Sequence, residues 1–276
     1  MIGIVGQGFV GNAIYQKFKN YFEVFTYDLD ENKCNADQFW VYNQEVVFIC
    51  LPTPMNKDGS CNLDILESTL SEINKASRDV EGRIVIIKST IIPGSTDKFQ
   101  LKNQYIDIVF NPEFLTEANA VDDFENQTRL LLGGPLRATT KIKQIFSSVF
   151  RKTPRIIKTD AKTAELVKYV TNAFLSTKVS FANEMYQLCE GLDLDYDKII
   201  EYATLDPRLG DSHWGVPGPD GDFGFGGHCF PKDLAALIEI TKSLNTVNNV
   251  LKAVQTTNNT VRTNRDWEKM KGRAIV

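Results

Sequence analysis

Residues 1–18, MIGIVGQGFVGNAIYQKF, decide the fold of the N-terminal half. A short apolar run is followed by Gly6, Gly8 and Gly11 in G-x-G-x-x-G spacing, and then by apolar residues at helical period. The first glycine permits a tight turn, the second lets backbone approach a pyrophosphate, and the third lets helix pack on strand. The helix N-terminus favours the anion. The spacing alone is weak evidence. It gains weight from EVFTYDLD, residues 23–30, a strand pattern ending at Asp28, 17 positions after Gly11. A carboxylate there would hydrogen-bond the adenosine ribose hydroxyls and disfavour a 2′-phosphate, so NAD is expected over NADP. The plainer reading of Asp28 is a turn residue that closes the strand.

Further strand-like runs follow at EVVFICLP (45–52), RIVIIKST (83–90), IDIVFNPE (106–113) and RLLLGG (129–134), separated by helix-compatible segments. That alternation predicts an α/β fold with a Rossmann-type doubly wound parallel sheet over residues 1–155. Ligands of such sheets collect beyond the C-terminal strand ends. Three of these ends carry unusual residues: Thr53, Thr90, and Glu113 with Glu117. Asn111 and Pro112 read as a helix cap and first-turn pair, which would set Glu113 and Glu117 on one helical face. On the alternative reading, Glu113 merely complements the helix dipole.

With 276 residues and a net charge of −4 in no long like-charged block, the chain is expected to be an ordinary soluble protein without a nucleic-acid or anionic-membrane footprint. A strand starting at Ile2 leaves no room for a signal peptide, and no apolar run approaches a bilayer's width; a cytoplasmic location is expected. The five cysteines form no CxxC pair, so neither a disulfide framework nor a metal site is indicated.

From about Asp160 to Leu192 the sequence has almost no breakers. It predicts one long helix, capped at Thr159 or Asp160 and ended at Gly191, that organises an all-helical domain over 156–276. At 1.5 Å per residue such a helix reaches roughly 45 Å, long enough to serve a homodimer interface. Lys168 and Asn172 lie four apart in an otherwise largely apolar stretch. Either Lys168 reaches to solvent and Asn172 satisfies a neighbour, or the two line a pocket. GFGGHCFPKD, residues 224–233, then puts Cys229 just before a helix whose first turn holds Pro231, where exposed N–H groups favour thiolate. Gly224, Gly226 and Gly227 would let backbone approach a ligand, and Lys232 and Asp233 supply a charge pair. Cys50 and Cys189 read as buried packing residues.

Together GQGFVG, LPTP, KSTIIPG, NPEFLTEANAVDDF, ELVKYVTNAFLSTKVSFANEM and GFGGHCFPKD resemble the UDP-glucose/GDP-mannose dehydrogenase family, in family order and over most of the chain. The resemblance is strongest to its UDP-glucose-oxidising members. It implies oxidation of a nucleotide sugar's C6 alcohol to a carboxylate in two hydride transfers to NAD, with Cys229 as the nucleophile that holds the half-oxidised sugar. It implies that Lys168 and Asn172 stabilise oxyanions, that Asp233 orients water or aids proton transfer, and that Glu113 and Thr90 serve the hydrolytic water. The cofactor set it implies is Gly6, Gly8, Phe9, Val10, Gly11, Asp28, Lys33, Thr53, Thr90 and Lys232. The substrate set is Glu113, Phe114, Leu115, Glu117, Lys168, Asn172, Arg208, Phe225, Gly226, Gly227 and Cys229, with Arg208 reaching across a subunit boundary. Two departures stand out: the family's usual third, nucleotide-binding domain is not expected, and the loop between Arg208 and Cys229, with VPGPDGD (216–222), is longer than usual. GDP-mannose is the competing substrate. A single-step hydroxyacid dehydrogenase, needing no Cys229, and a non-catalytic NAD-binding module are the competing functions.

Overall fold

The computed structural model describes residues 1–150, 152 and 154–276. The chain divides into two compact units, the first Met1–Thr53 with Leu63–Lys168, the second Pro54–Asn62 with Tyr169–Val276.

Among the described residues the first unit holds seven strands: β1 Ile2–Val5, β2 Val24–Tyr27, β3 Val46–Ile49, β4 Ile84–Ile87, β5 Asp107–Phe110, β6 Arg129–Gly133 and β7 Arg155–Thr159, in the order β2-β1-β3-β4-β5-β6-β7. Alternate strand residues serve opposite faces. Ile4, Phe48, Ile86 and Val109 enter one core, while Val5, Val47, Ile49, Val85, Ile87, Ile108 and Phe110 enter the other. Both faces are covered, which is why these strands read as unbroken apolar runs rather than alternating ones.

The helices of this unit are α1 Phe9–Phe18, α2 Gln38–Tyr42, α3 Asp64–Ala76, α4 Ser95–Lys102, α5 Ala120–Glu125 and α6 Leu136–Val149. On the first face α6 contributes Ala138, Ile142, Phe146 and Val149, and on the second α3 contributes Leu66, Leu70 and Ile73. This is the spacing of a single helical stripe. Phe18, fully buried at the end of α1, meets Phe48 and Phe146 edge-on, with centroids 5.4 and 5.7 Å away.

The sheet is doubly wound as the sequence predicts, but β7 is an added strand that runs past the expected domain boundary at residue 155, and the strand directions hold one departure. β5 and β6 run antiparallel, joined at Phe110 and Gly133, whereas every other neighbouring pair is parallel. The one helix between them, α5, spans about 9 Å at 1.5 Å per residue, shorter than the roughly 13 Å of strand along which a parallel crossover must return.

A second departure lies just before it. Residues 111–116 are neither helix nor strand, so the helix expected from Asn111-Pro112 is absent and Glu113 and Glu117 share no helical face. Asn111 is fully buried and spends its side chain elsewhere: its amide donates to the Leu131 carbonyl at 2.7 Å and its oxygen accepts from Lys88 Nζ at 2.9 Å.

The long helix, α7, runs Ala161–Gly191, with Asp160 accepting from the Thr163 N–H at 2.8 Å as its cap. Early in α7, Glu165 is buried and in turn caps α4, accepting from the Thr96 N–H at 2.8 Å, the Thr96 hydroxyl at 2.6 Å, and the Gly94 N–H. The second unit continues with α8 Tyr196–Ala203, α9 Phe230–Ser243 and α10 Asn249–Val261. It also contains a small β patch. Met55 bridges Cys61 across a hairpin, and its N–H donates to the Ala274 carbonyl at 2.8 Å while its carbonyl accepts from Val276 at 3.1 Å. Among the described residues no helix is long and apolar enough to cross a membrane, and no three metal-ligating side chains are grouped.

Replacing Phe18 with Ala empties the centre of the aromatic cluster. The expected loss is about 3–5 kcal/mol, read as a lower urea midpoint with an unchanged slope.

Candidate active site

In the first unit the glycine turn has the geometry its spacing implies. Gly6 sits at φ +88°, and a Cβ on Gly11 would overlap the Gly6 carbonyl oxygen. A Cβ on Gly8 would meet nothing within 4 Å, so this side of the turn is open. Gly8 is the N-cap of α1 and no side chain caps that helix, which leaves first-turn N–H groups for an anion. Phe9 and Val10 pack at the core's edge.

The Asp28 carboxylate accepts from the Gln7 N–H at 2.6 Å and the Asp30 N–H at 2.9 Å, which fixes it at the strand end beside the turn. Gln7 Nε2, beside the turn, is buried without a hydrogen bond in the protein. These features fit a dinucleotide. Lys33 is on the surface, 3.3 Å from Asp30.

At the ends of β3 and β4, Thr53 is buried and its hydroxyl donates to the Thr90 carbonyl at 2.8 Å, so these two predicted site residues adjoin. Lys168 does not reach to solvent. It is 3 % exposed, and Nζ donates to Glu113 Oε1 at 2.8 Å and to the Glu113 carbonyl at 2.7 Å. The other Glu113 oxygen accepts from the Leu115 N–H at 2.7 Å. Two cations lie over the Phe114 ring, Lys168 Nζ 5.5 Å and the Arg129 guanidinium 4.5 Å from its centre. Glu117 is exposed.

Lys88 is a residue that motif reading passed over. It is buried against Asn111, and burial pulls its ammonium down to about 8. The signal was available: an ammonium at the end of the apolar run IVII. Burial also drives the nearby Cys50 thiol up to about 12, as expected of a packing residue.

In the second unit Cys229 stands at the N-cap of α9, and Pro231 occupies the first turn. Its carbonyl accepts from the Asp233 N–H at 2.9 Å. Asp233 is 1 % exposed, and its two oxygens are taken separately: one accepts from Asn172 Nδ2 at 2.6 Å, the other from Lys232 Nζ at 2.7 Å. Burial disfavours the Lys232 charge, yet Asp233 and the sulfurs of Cys61 and Cys229 outweigh it and raise its pKa. An ammonium thus stays charged in a buried site one turn from a half-exposed thiol.

The glycines of this loop divide by function. A Cβ on Gly224 would overlap Asn258, and one on Gly226 would overlap Arg262 and Asp266, so both admit protein; only Gly227, at φ +68°, faces open space. Phe225 is buried edge-on to Phe230, with centroids 5.9 Å apart. Arg208 is on the surface, its guanidinium forked onto Asp206.

Comparison with known proteins places these features in a family. The profile of the UDP-glucose/GDP-mannose dehydrogenase family's NAD binding domain matches residues 38–153, and that of its central domain matches residues 162–260. A UDP-glucose 6-dehydrogenase of Haloferax volcanii is 28% identical over 88% of this chain and 65% of its own length. One of Rickettsia bellii is 34% identical over 83% of this chain and 53% of its own. The chain therefore spans between half and two thirds of these relatives. The structure of a UDP-glucose dehydrogenase from Pyrobaculum islandicum superimposes with a TM-score of 0.85 at 27% identity, covering 94% of this chain and 68% of that one.

Lys88 yields a pH-dependent prediction. Its folded pKa of about 8 lies below the unfolded value of 10.5, so between those values the unfolded chain binds more protons and the residue's cost to folding is relieved as pH rises. A Lys88→Met chain should therefore lose ground to the unsubstituted one between pH 8 and 10.5, by about 3 kcal/mol at most, in paired denaturant titrations.

Proposed function

This chain belongs to the UDP-glucose/GDP-mannose dehydrogenase family, and from that premise we propose that it oxidises the C6 alcohol of UDP-glucose to the carboxylate of UDP-glucuronate. The family's NAD-binding domain assigns NAD as cofactor, and the glycine turn with Asp28 is its seat in the first unit. When bound there, NAD would supply the hydride acceptor, one molecule for each of the two oxidation steps.

The reading is carried by one observation: a half-exposed cysteine at the head of α9, with an ion pair buried in the same helical turn. In this proposal the Cys229 sulfur adds to the C6 aldehyde left by the first oxidation, and the hydroxyl of the resulting thiohemiacetal sheds its proton as the second hydride leaves. Water then cleaves the thioester and returns the thiolate. Covalent capture keeps the aldehyde in place between steps. The charged Lys232 favours thiolate over thiol, and Asp233, its oxygens shared between Asn172 and Lys232, is fixed in orientation to handle water or a proton.

Lys168 serves as oxyanion stabiliser. Buried at low effective dielectric, its ammonium acts on developing negative charge far more strongly than in water. Glu113, its present partner, would be the group that carries the hydrolytic water.

The proposal includes a homodimer. Val170, Phe174, Phe181 and Leu188 are each at least half exposed and recur at spacings of four and seven along α7, an apolar stripe on the longest helix. A Phe174→Asp chain should sediment as a monomer at concentrations where the unsubstituted chain is a dimer.

The decisive assay offers NAD with UDP-glucose, GDP-mannose or UDP-N-acetylmannosamine and counts NADH against acid formed. UDP-glucose is expected to give two NADH per sugar, and Cys229→Ala no sustained formation of the acid. One NADH per substrate, or multiple turnovers to the acid by the Ala chain, would sink the covalent scheme; preference for another sugar would move the substrate assignment.

A further inference from the structure

The loop before α9 is held by side chains that neither the motifs nor the proposed chemistry account for. Backbone groups outside helices and strands still need hydrogen-bond partners when buried. Here side chains supply them. The Gly224 N–H donates to Asn183 Oδ1 at 3.0 Å. The Phe225 N–H donates to Asn258 Oδ1 at 2.7 Å, and the Phe225 carbonyl accepts from Asn258 Nδ2 at 3.0 Å. The Gly227 N–H donates to both Asp266 oxygens, at 3.0 and 3.2 Å. Asn183 and Asn258 are themselves buried, so the contacts to Gly224 and Phe225 are not casual surface ones, and Asp266 and Gly227 are partly buried.

An ion cluster fastens the clasp. The Arg262 side chain is 1 % exposed, with Nη2 2.6 Å from Asp220 and 3.5 Å from Asp266, and Nε 3.5 Å from Asp222. Asp222 also accepts from the N–H groups of Thr263 at 3.2 Å and Asn264 at 2.8 Å. One cation therefore joins the start of the loop to the turn after α10. Burying a guanidinium among three carboxylates is costly unless the geometry is tightly satisfied, and here it is satisfied from both sides of the loop.

The clasp reaches the thiol through packing. Asn258 holds both backbone groups of Phe225, whose ring lies edge-on against Phe230, the first residue of α9 and the neighbour of Cys229. We infer that Asn258, Arg262 and Asp266 are positioning residues for Cys229, fixing residues 224–227 so that the sulfur enters α9 at one place. Calling that sulfur a nucleophile rests on the proposed function above; the effect of the clasp on the thiol can be measured without it.

The experiment compares Asp266→Ala and Asp266→Asn with the unsubstituted chain. One measurement is the pH profile of Cys229 alkylation by iodoacetamide, followed on the Cys229 peptide by mass spectrometry; the other is NAD-dependent oxidation of UDP-glucose. In the Ala chain the alkylation midpoint should rise, because the thiol sits less well at the helix N-terminus, and kcat should fall about tenfold or more with KM within about twofold. The Asn chain, whose amide oxygen can still accept from Gly227, should retain most of both. Should Asp266→Ala fail to fold, Asn258→Ser carries the same comparison. A folded variant with an unaltered Cys229 alkylation profile would overturn the inference. A shifted profile in a chain that oxidises no nucleotide sugar would leave the clasp standing and remove the proposed function.

Discussion

The ion pair of Lys232 and Asp233, buried side by side in the first turn of α9, is the constraint on which the second unit turns. Each charge alone would be prohibitively desolvated there, and together they remain tolerable only because Asn172 takes the second carboxylate oxygen. The pair therefore dictates where α9 begins relative to α7. The first unit repeats the arrangement with Lys168 and Glu113, where a backbone carbonyl and a backbone N–H complete the set. The second pair joins α7 to residues 111–116, a segment outside any helix or strand.

The two glycine-rich segments look alike in sequence and use glycine differently. In the first, Gly11 is needed because Gly6 lies too close for a side chain, and Gly8 leaves the turn open. In the second, Gly224 and Gly226 make room for Asn258, Arg262 and Asp266, and the openness is left to Gly227. The first segment is shaped toward a ligand; most of the second is shaped toward its own support.

What the sequence discloses depends on how local the cause is. The turn at Gly6–Gly11, the strands buried on both faces, α7 with its Asp160 cap and Pro231 in the first turn of α9 all follow from neighbours in the chain, and all are legible. Asn111 is the opposite case. Beside Pro112 it resembles a helix cap, but Lys88 and Leu131, 23 and 20 residues away, claim its side chain first. β7, largely exposed and bearing Arg155 and Lys158, carries no apolar run to mark it as a strand. The ring of acids around Arg262 is drawn from positions up to 42 residues distant, and only the fold collects them. Of the site, the residue types were visible, and their partners were not.

The hairpin at Met55 and Cys61 makes the chain's division into units discontinuous: polypeptide passes between them at residues 53–54, 62–63 and 168–169. A contiguous fragment ending near residue 168 would take along a ribbon whose backbone mates, Ala274 and Val276, had been left behind. Any dissection of this molecule by simple truncation thus strands one loop in the wrong half, and inheritance or engineering by swapping either half must carry both pieces of that ribbon together.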